Sequence, residues 1–478
     1  MPALRSPVVF ALAALLAGCS VGPNYHAPQT PVPAAFSNGA QTNMSAAGVE
    51  VRWWRGFNDP KLDELVGIAL TNNHDLRIAT ANLRQARALR GLRVADFGPV
   101  INGDGGYTKA TASQAADFGF PRDVRELQLF DAGFDATWEL DIFGRTRRAL
   151  EAGTADLQAA AANRRDVRVS LISEVARNYF ELRGTQHELD VARRNAENQR
   201  QTLEITRARL EGGRGTDLDV SRARAQLNST LAIIPPMEAS VSHAMHRLGV
   251  LCGRQPTALV AELKTPAPMP DMPALVAIGS PRDLLRRRPD IRVAERNLAA
   301  TTARIGVETS SLFPRVTFNG RLGFEASHLA SLTKSGSDTY SFGPQITWEA
   351  LDIGHVRNRI KAAGAQAEAA LAIYEKTVLT ALEETENALV DFGREEARRR
   401  FLQESVEASD NAAKLARQLY ENGATDFLAE LDAERTALEA QDQLARSETS
   451  TATFLVAVYK ALGGGWEGDT HDKSHARR

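Results

Sequence analysis

What this chain lacks narrows its possible roles. Cys19 and Cys252 are the only cysteines in 478 residues, so no disulfide framework can brace the fold. Acidic and basic residues nearly cancel, 59 against 57, and nothing in that balance marks a nucleic-acid binder. Past the N-terminus no segment reaches the roughly 18 uninterrupted apolar residues of a membrane helix. Any crossing of a membrane by the rest of the chain would therefore have to be made by strands. Proline is missing between Pro121 and Pro235 and again after Pro344. An interior proline costs a helix about 3 kcal/mol, so these gaps leave room for helices of unusual length. Aromatics are scarce at 6%, while Ala, Leu, Arg, Glu and Gln abound, a composition of long helices. Nucleophile elbow, phosphate loop and zinc spacing are all missing, which argues against an enzyme. His243 and His246 stand three apart without carboxylate or thiolate companions, so no metal or cofactor site is expected.

The first 18 residues read as a leader. Arg5 supplies the positive charge, and Val8 to Leu16 form an apolar run too short to span a bilayer. The run ends Leu16-Ala17-Gly18-Cys19, which resembles the lipobox of bacterial lipoproteins. The alternative is an ordinary secretory signal in which the cysteine is incidental. In the lipoprotein reading Cys19 becomes the first mature residue and carries three acyl chains, as the resemblance implies, which exceed the roughly two-signal threshold for stable anchoring. Ser20 resembles the residue that follows the cysteine in lipoproteins sent to the outer membrane. Cys252, set among Val250, Leu251 and Gly253, reads as a small buried hydrophobe.

The remainder repeats itself. Trp138 and Gly144 recur 210 positions later as Trp348 and Gly354, and Gly213 recurs as Gly423. Asp75 and Pro99 share a spacing of 24 with Asp290 and Pro314, and Gly184 corresponds to Gly393 within a residue. The period is far too long for a solenoid and indicates a duplicated unit. The expected organisation is an N-terminal extended segment over 19–55, a first repeat over 56–275, a second over 276–465, and a disordered charged tail over 466–478. Each repeat orders a helix, two strands, a very long helix, a turn and another long helix.

Val175, Leu182, Leu189, Ala196, Leu203 and Leu210 recur every seven residues, a coiled-coil period. A helix from about Arg145 to Leu210 would run on the order of 100 Å. Leu431, Leu438 and Ala445 carry the pattern in the last helix. Other stretches alternate strictly. Phe130, Ala132, Phe134, Ala136 and Trp138 interleave with Asp131, Gly133, Asp135, Thr137 and Glu139. Segments Val316–Glu325 and Tyr340–Trp348 do likewise, and a glycine-rich fourth candidate lies near Val100–Ala110. A membrane barrel strand needs this period of two, though a half-buried soluble sheet alternates identically. Four strands cannot close a barrel, which needs about eight, so membrane-spanning strands would have to be pooled by several chains.

Several motifs together resemble the TolC-like outer-membrane efflux proteins, in their lipoprotein (NodT-type) branch. They are the lipobox, Val21-Gly22-Pro23-Asn24-Tyr25, Trp53-Trp54, Trp138-Glu139-Leu140-Asp141-Ile142-Phe143-Gly144, Arg288-Pro289-Asp290-Ile291, Leu312-Phe313-Pro314, and Tyr420-Glu421-Asn422-Gly423 leading to Leu431-Asp432-Ala433. The resemblance implies a mixed α and β fold: a homotrimer whose chains each give four strands to a 12-stranded outer-membrane β-barrel above a periplasmic α-barrel of coiled-coil helices. It implies partners too, a periplasmic adaptor protein and an inner-membrane pump of the resistance-nodulation-division type. The implied role is a passive exit duct for small molecules; an exit duct for type I protein secretion and a lipid-anchored scaffold without a pore are the alternatives.

By the same resemblance, the glycine turns at Gly212-Gly213 and Gly423 form the periplasmic tip that closes the tunnel at rest. Leu428 and Asp432 take the gate positions. In some relatives a second aspartate stands where this chain has Ala429. Some also latch an arginine after the second turn to an aspartate of the first hairpin. Asp219 matches that aspartate, but Thr425 occupies the arginine position, leaving Tyr420 or a different ion pair for any latch.

Overall fold

A computed structural model of the chain describes residues 20–39, 44–48, 50–113, 115 and 121–466. The leader, Cys19 and all of the expected tail except Trp466 lie outside these residues. The long proline-free spans fold as two very long helices, α3 (Arg145–Glu211) and α6 (Ile353–Glu421), each turning into a 35-residue helix, α4 (Asp217–Leu251) and α7 (Phe427–Ala461). Ahead of them lie α1 (Pro60–Asn72) and α2 (His74–Ala95) in the first half and α5 (Pro289–Ser310) in the second. Among the described residues no helix is long and apolar enough to cross a membrane. Proline does not end α4: Pro235 and Pro236 both sit inside it, although neither can donate the backbone hydrogen bond that position offers.

The chain divides into two compact units. The first takes the residues up to Gln29, Asn82–Ala161 and Val293–Glu375, and it holds a sheet. Its strands are β2 (Val100–Thr111), β3 (Glu126–Leu140), β5 (Arg315–Ala326) and β6 (Asp338–Thr347), antiparallel in the order β2-β3-β5-β6. The register sets Phe134 opposite Leu322, Trp138 opposite Phe318 and Leu322 opposite Tyr340, so the large apolar residues share one face. That face is open: Phe134, Leu322, Tyr340 and Phe342 are each more than 60% exposed. The other face is polar. There Arg321 on β5 reaches Asp104 on β2 at 2.9 Å and Asp131 on β3 at 3.3 Å. Trp138 and Trp348 donate their indole N–H groups to the carbonyls of Phe97 and Leu312, the same bond in both halves.

The second unit takes Thr30–Ala81, Ala162–Arg292 and the chain from Lys376, and it carries the larger core. Its two-stranded sheet pairs β1 (Met44–Ser45) with β4 (Val276–Ala277) in parallel. Trp53 is 1% exposed and stacks on Tyr459 at 4.9 Å, and Phe57 packs on Phe180 at 4.7 Å. Asp59 caps α1 by accepting from the amides of Lys61 and Leu62, and it also takes the Tyr179 hydroxyl at 2.7 Å. Heptad positions Val175, Leu182, Leu189, Ala196 and Leu203 are all buried. At Gly184 a Cβ would lie 2.0 Å from Thr449 Oγ1, so only glycine lets α3 approach α7 this closely. Cys252 is free and buried, its Sγ against the Leu65 carbonyl, and burial pushes its thiol up to about 11.

Candidate functional site at the helix-hairpin turns

The two turns that end the long helices are built alike. Gly213 donates to the Leu210 carbonyl and Arg214 to Arg209; Gly423 donates to Tyr420 and Ala424 to Leu419. This paired pattern is the Schellman C-cap, whose C′ residue must be left-handed. Gly213 sits at φ +69° and Gly423 at +73°, conformations a side chain would disfavour. Gly212 only continues the last turn of α3, donating to Ala208.

The helices that leave the turns are capped differently. At α4 the Thr216 hydroxyl accepts from the Asp219 amide while the Asp219 carboxylate takes the Thr216 amide and hydroxyl, a reciprocal capping box. Asp219 is thus engaged inside its own turn. At α7, Asp426 accepts from the Ala429 amide and nothing reciprocates. Thr425, half-buried, immediately precedes that cap.

Tyr420 is 4% exposed and ties the hairpins together. Its ring tilts against Phe427 at 5.6 Å and lies under the guanidinium of Arg209, 4.1 Å from the ring centre. Arg209 also donates to the carbonyls of Tyr420 and Glu421 at the C-terminal end of α6. A cation there meets the last carbonyls of α6 and the negative end of the helix dipole. Ala196, Leu203, Val220, Ala223 and Leu227 complete the apolar cluster around Tyr420 and Phe427. The family resemblance points to Tyr420 but not to Arg209, whose partners lie more than 200 residues away; the local cue to Arg209 is a basic residue in the last turn of a helix.

Leu428 and Asp432 are one helical turn apart on α7 and point outward together. Leu428 is 53% exposed, and the Asp432 carboxylate, equally open, pairs with Arg435 at 3.0 Å. Beneath them Glu430 is 2% exposed and approaches Arg417 of α6 at 3.7 Å. Glu434 takes the same guanidinium at 3.1 Å, and Arg417 donates onward to the Thr202 hydroxyl on α3. Among the described residues no group of His, Cys, Asp and Glu is arranged to hold a metal.

A hairpin pair of this kind, together with a four-stranded sheet open on one apolar face, has known counterparts. A family model described as outer membrane efflux protein matches residues 65–254 and 280–464. The chain belongs to that family. It is 33% identical over 461 residues to Nodulation protein T of Rhizobium leguminosarum bv. trifolii, covering 95% of this chain and 96% of that one. With the toluene efflux pump outer membrane protein TtgF of Pseudomonas putida it shares 31% identity over 96% of both. The solved outer-membrane channel OprN superposes with a TM-score of 0.88 at 43% identity, covering 94% of this chain and all of that one. The open state of the MtrE outer membrane channel of Neisseria gonorrhoeae gives 0.82 at 28% identity, covering 95% of this chain and all of that one. An outer-membrane location follows from membership of this family.

Proposed function

We propose that the chain is the exit duct of a tripartite efflux pump, a passive channel and not an enzyme. The observation that carries this is the sheet of β2, β3, β5 and β6. One face is apolar and exposed, the other charged, and among the described residues no strand pairs with the outer edge of β2 or β6. An apolar face suits lipid, but lipid cannot satisfy an open edge. Three copies joined edge to edge would close a barrel of twelve strands, within the range of known membrane barrels. Trp138 and Trp348, near the ends of their strands, would then stand at the membrane–water interface. A periplasmic adaptor and a resistance-nodulation-division pump would feed the duct, and the turns at Gly213 and Gly423 would form its closed end.

The reading is tested in planar bilayers. The purified trimer is expected to insert with low conductance, and Leu428→Ala combined with Asp432→Ala to raise it several-fold. Protein that inserts but never conducts, the double variant included, would refute the duct. We further propose that Cys19 carries a covalent lipid, supported by the lipobox-like residues before it. Cys19→Ser is expected to abolish metabolic labelling with palmitate while conductance persists; a labelled variant refutes the anchor.

A further inference from the structure

Glu430, Glu434 and Arg417 do not balance. One guanidinium serves two carboxylates, at 3.7 and 3.1 Å. Glu430 Oε2 is buried with no hydrogen-bond partner. Glu430 lines an open pocket of about 230 Å³ between α3, α6 and α7, with Asn195, Asp410, Lys414 and Gln441 also on its wall. Withdrawing an unpaired carboxylate oxygen from water is costly, and the proton is the smallest ligand that removes the cost.

We propose that Glu430 is a proton-binding site: one proton held there keeps α7 packed against α3 and α6, and its release loosens the turn that carries Leu428 and Asp432. The charged groups around it come from α3, α6 and α7. Glu434 lies on α7 itself, Asp410, Lys414, Arg417 and Glu421 on α6, and Arg209 on α3. From α4 the residues in the adjoining cluster are the apolar Val220, Ala223 and Leu227. Burial first, then the neighbouring Glu434, lifts the Glu430 carboxyl to about 7, against the pull of Arg417. The sign follows from linkage. A carboxyl raised in the packed state adds stability that is complete below its ordinary value of 4.5 and disappears as pH rises through about 7. Alkaline periplasm would then favour a loose tip and acid periplasm a tight one. The inference rests on the duct reading for its meaning, but not for its measurement.

Hydrogen–deuterium exchange of the purified full-length trimer, corrected for intrinsic rates, tests it. Between pH 6 and pH 8, exchange in peptides covering 417–435 is expected to rise about tenfold, the ratio that linkage gives for one such carboxyl. Glu430→Gln, neutral and of the same shape, is expected to hold the pH 6 protection at both values. Glu434→Gln leaves Arg417 to Glu430 alone and is expected to move the transition to lower pH. A parent protein without the rise, or a Glu430→Gln variant that keeps it, overturns the proposal. Exchange reads the helices whether or not the trimer conducts: a conducting trimer without the response sinks this inference alone, and a silent trimer with the response sinks only the duct.

Discussion

Arg209→Ala is expected to raise the open probability of the proposed trimer in planar bilayers by between ten- and a hundredfold. Arg209 holds the end of one long-helix hairpin against the other through two carbonyls and the face of Tyr420. A hydrogen bond from a charged group contributes about 1.5–3 kcal/mol, and each 1.4 kcal/mol is about tenfold in an equilibrium. If this contact holds the resting tip, its loss shifts the equilibrium by that factor. Arg209→Lys keeps the charge but loses the planar fork, so an intermediate effect is expected. An alanine variant gating like the parent would show that the tip is held elsewhere.

The second large effect is expected at Arg148. This side chain is 4% exposed, and it donates to the carbonyls of Val21 and Gly22 and to the Asn24 side chain at 2.7 Å. Gly306 makes the room: a Cβ there would lie 2.8 Å from the arginine's own stem. Arg148→Ala takes the charged donor away from three acceptors on a part-exposed segment, and a hydrogen bond from a charged group contributes about 1.5–3 kcal/mol. Exchange protection of residues 20–25 in the full-length protein is expected to fall by roughly ten- to a hundredfold. Palmitate labelling should persist, because the alteration lies outside the leader. Unchanged protection would mean that Tyr25, bonded through its hydroxyl to Glu295 at 2.8 Å, holds the segment by itself.

The sequence disclosed what is periodic. The seven-residue recurrence from Val175 to Leu203 became the buried stripe of α3, and alternation around Phe134 and Trp138 became the apolar face of β3. Gly213 and Gly423 were visible as breaks in helical runs, because a left-handed residue at a helix end has few chemical solutions. β2 was hard to see because its glycines remove the side chains that would alternate, yet it runs Val100–Thr111. Arg148, Arg209 and Glu386 were invisible for another reason. Each acts on chain that is distant in sequence, Glu386 accepting from the amides of Ser37 and Asn38. An arginine or glutamate on a long helix reads as solvated until its partner is in place. The same holds for Glu430, whose burial depends on three helices meeting. Local rules describe turns and stripes; a contact made across hundreds of residues leaves no local trace.

The outer edges of β2 and β6, with which no strand pairs among the described residues, have a consequence for inheritance. In the proposed shared barrel every copy would depend on the quality of its neighbours, since such a ring closes only when all members present sound edges. In a cell expressing an intact and an edge-damaged allele equally, random mixing of three copies would leave roughly one assembly in eight wholly intact. Damage confined to an edge strand would thus behave as dominant, whereas loss of the whole chain would be recessive.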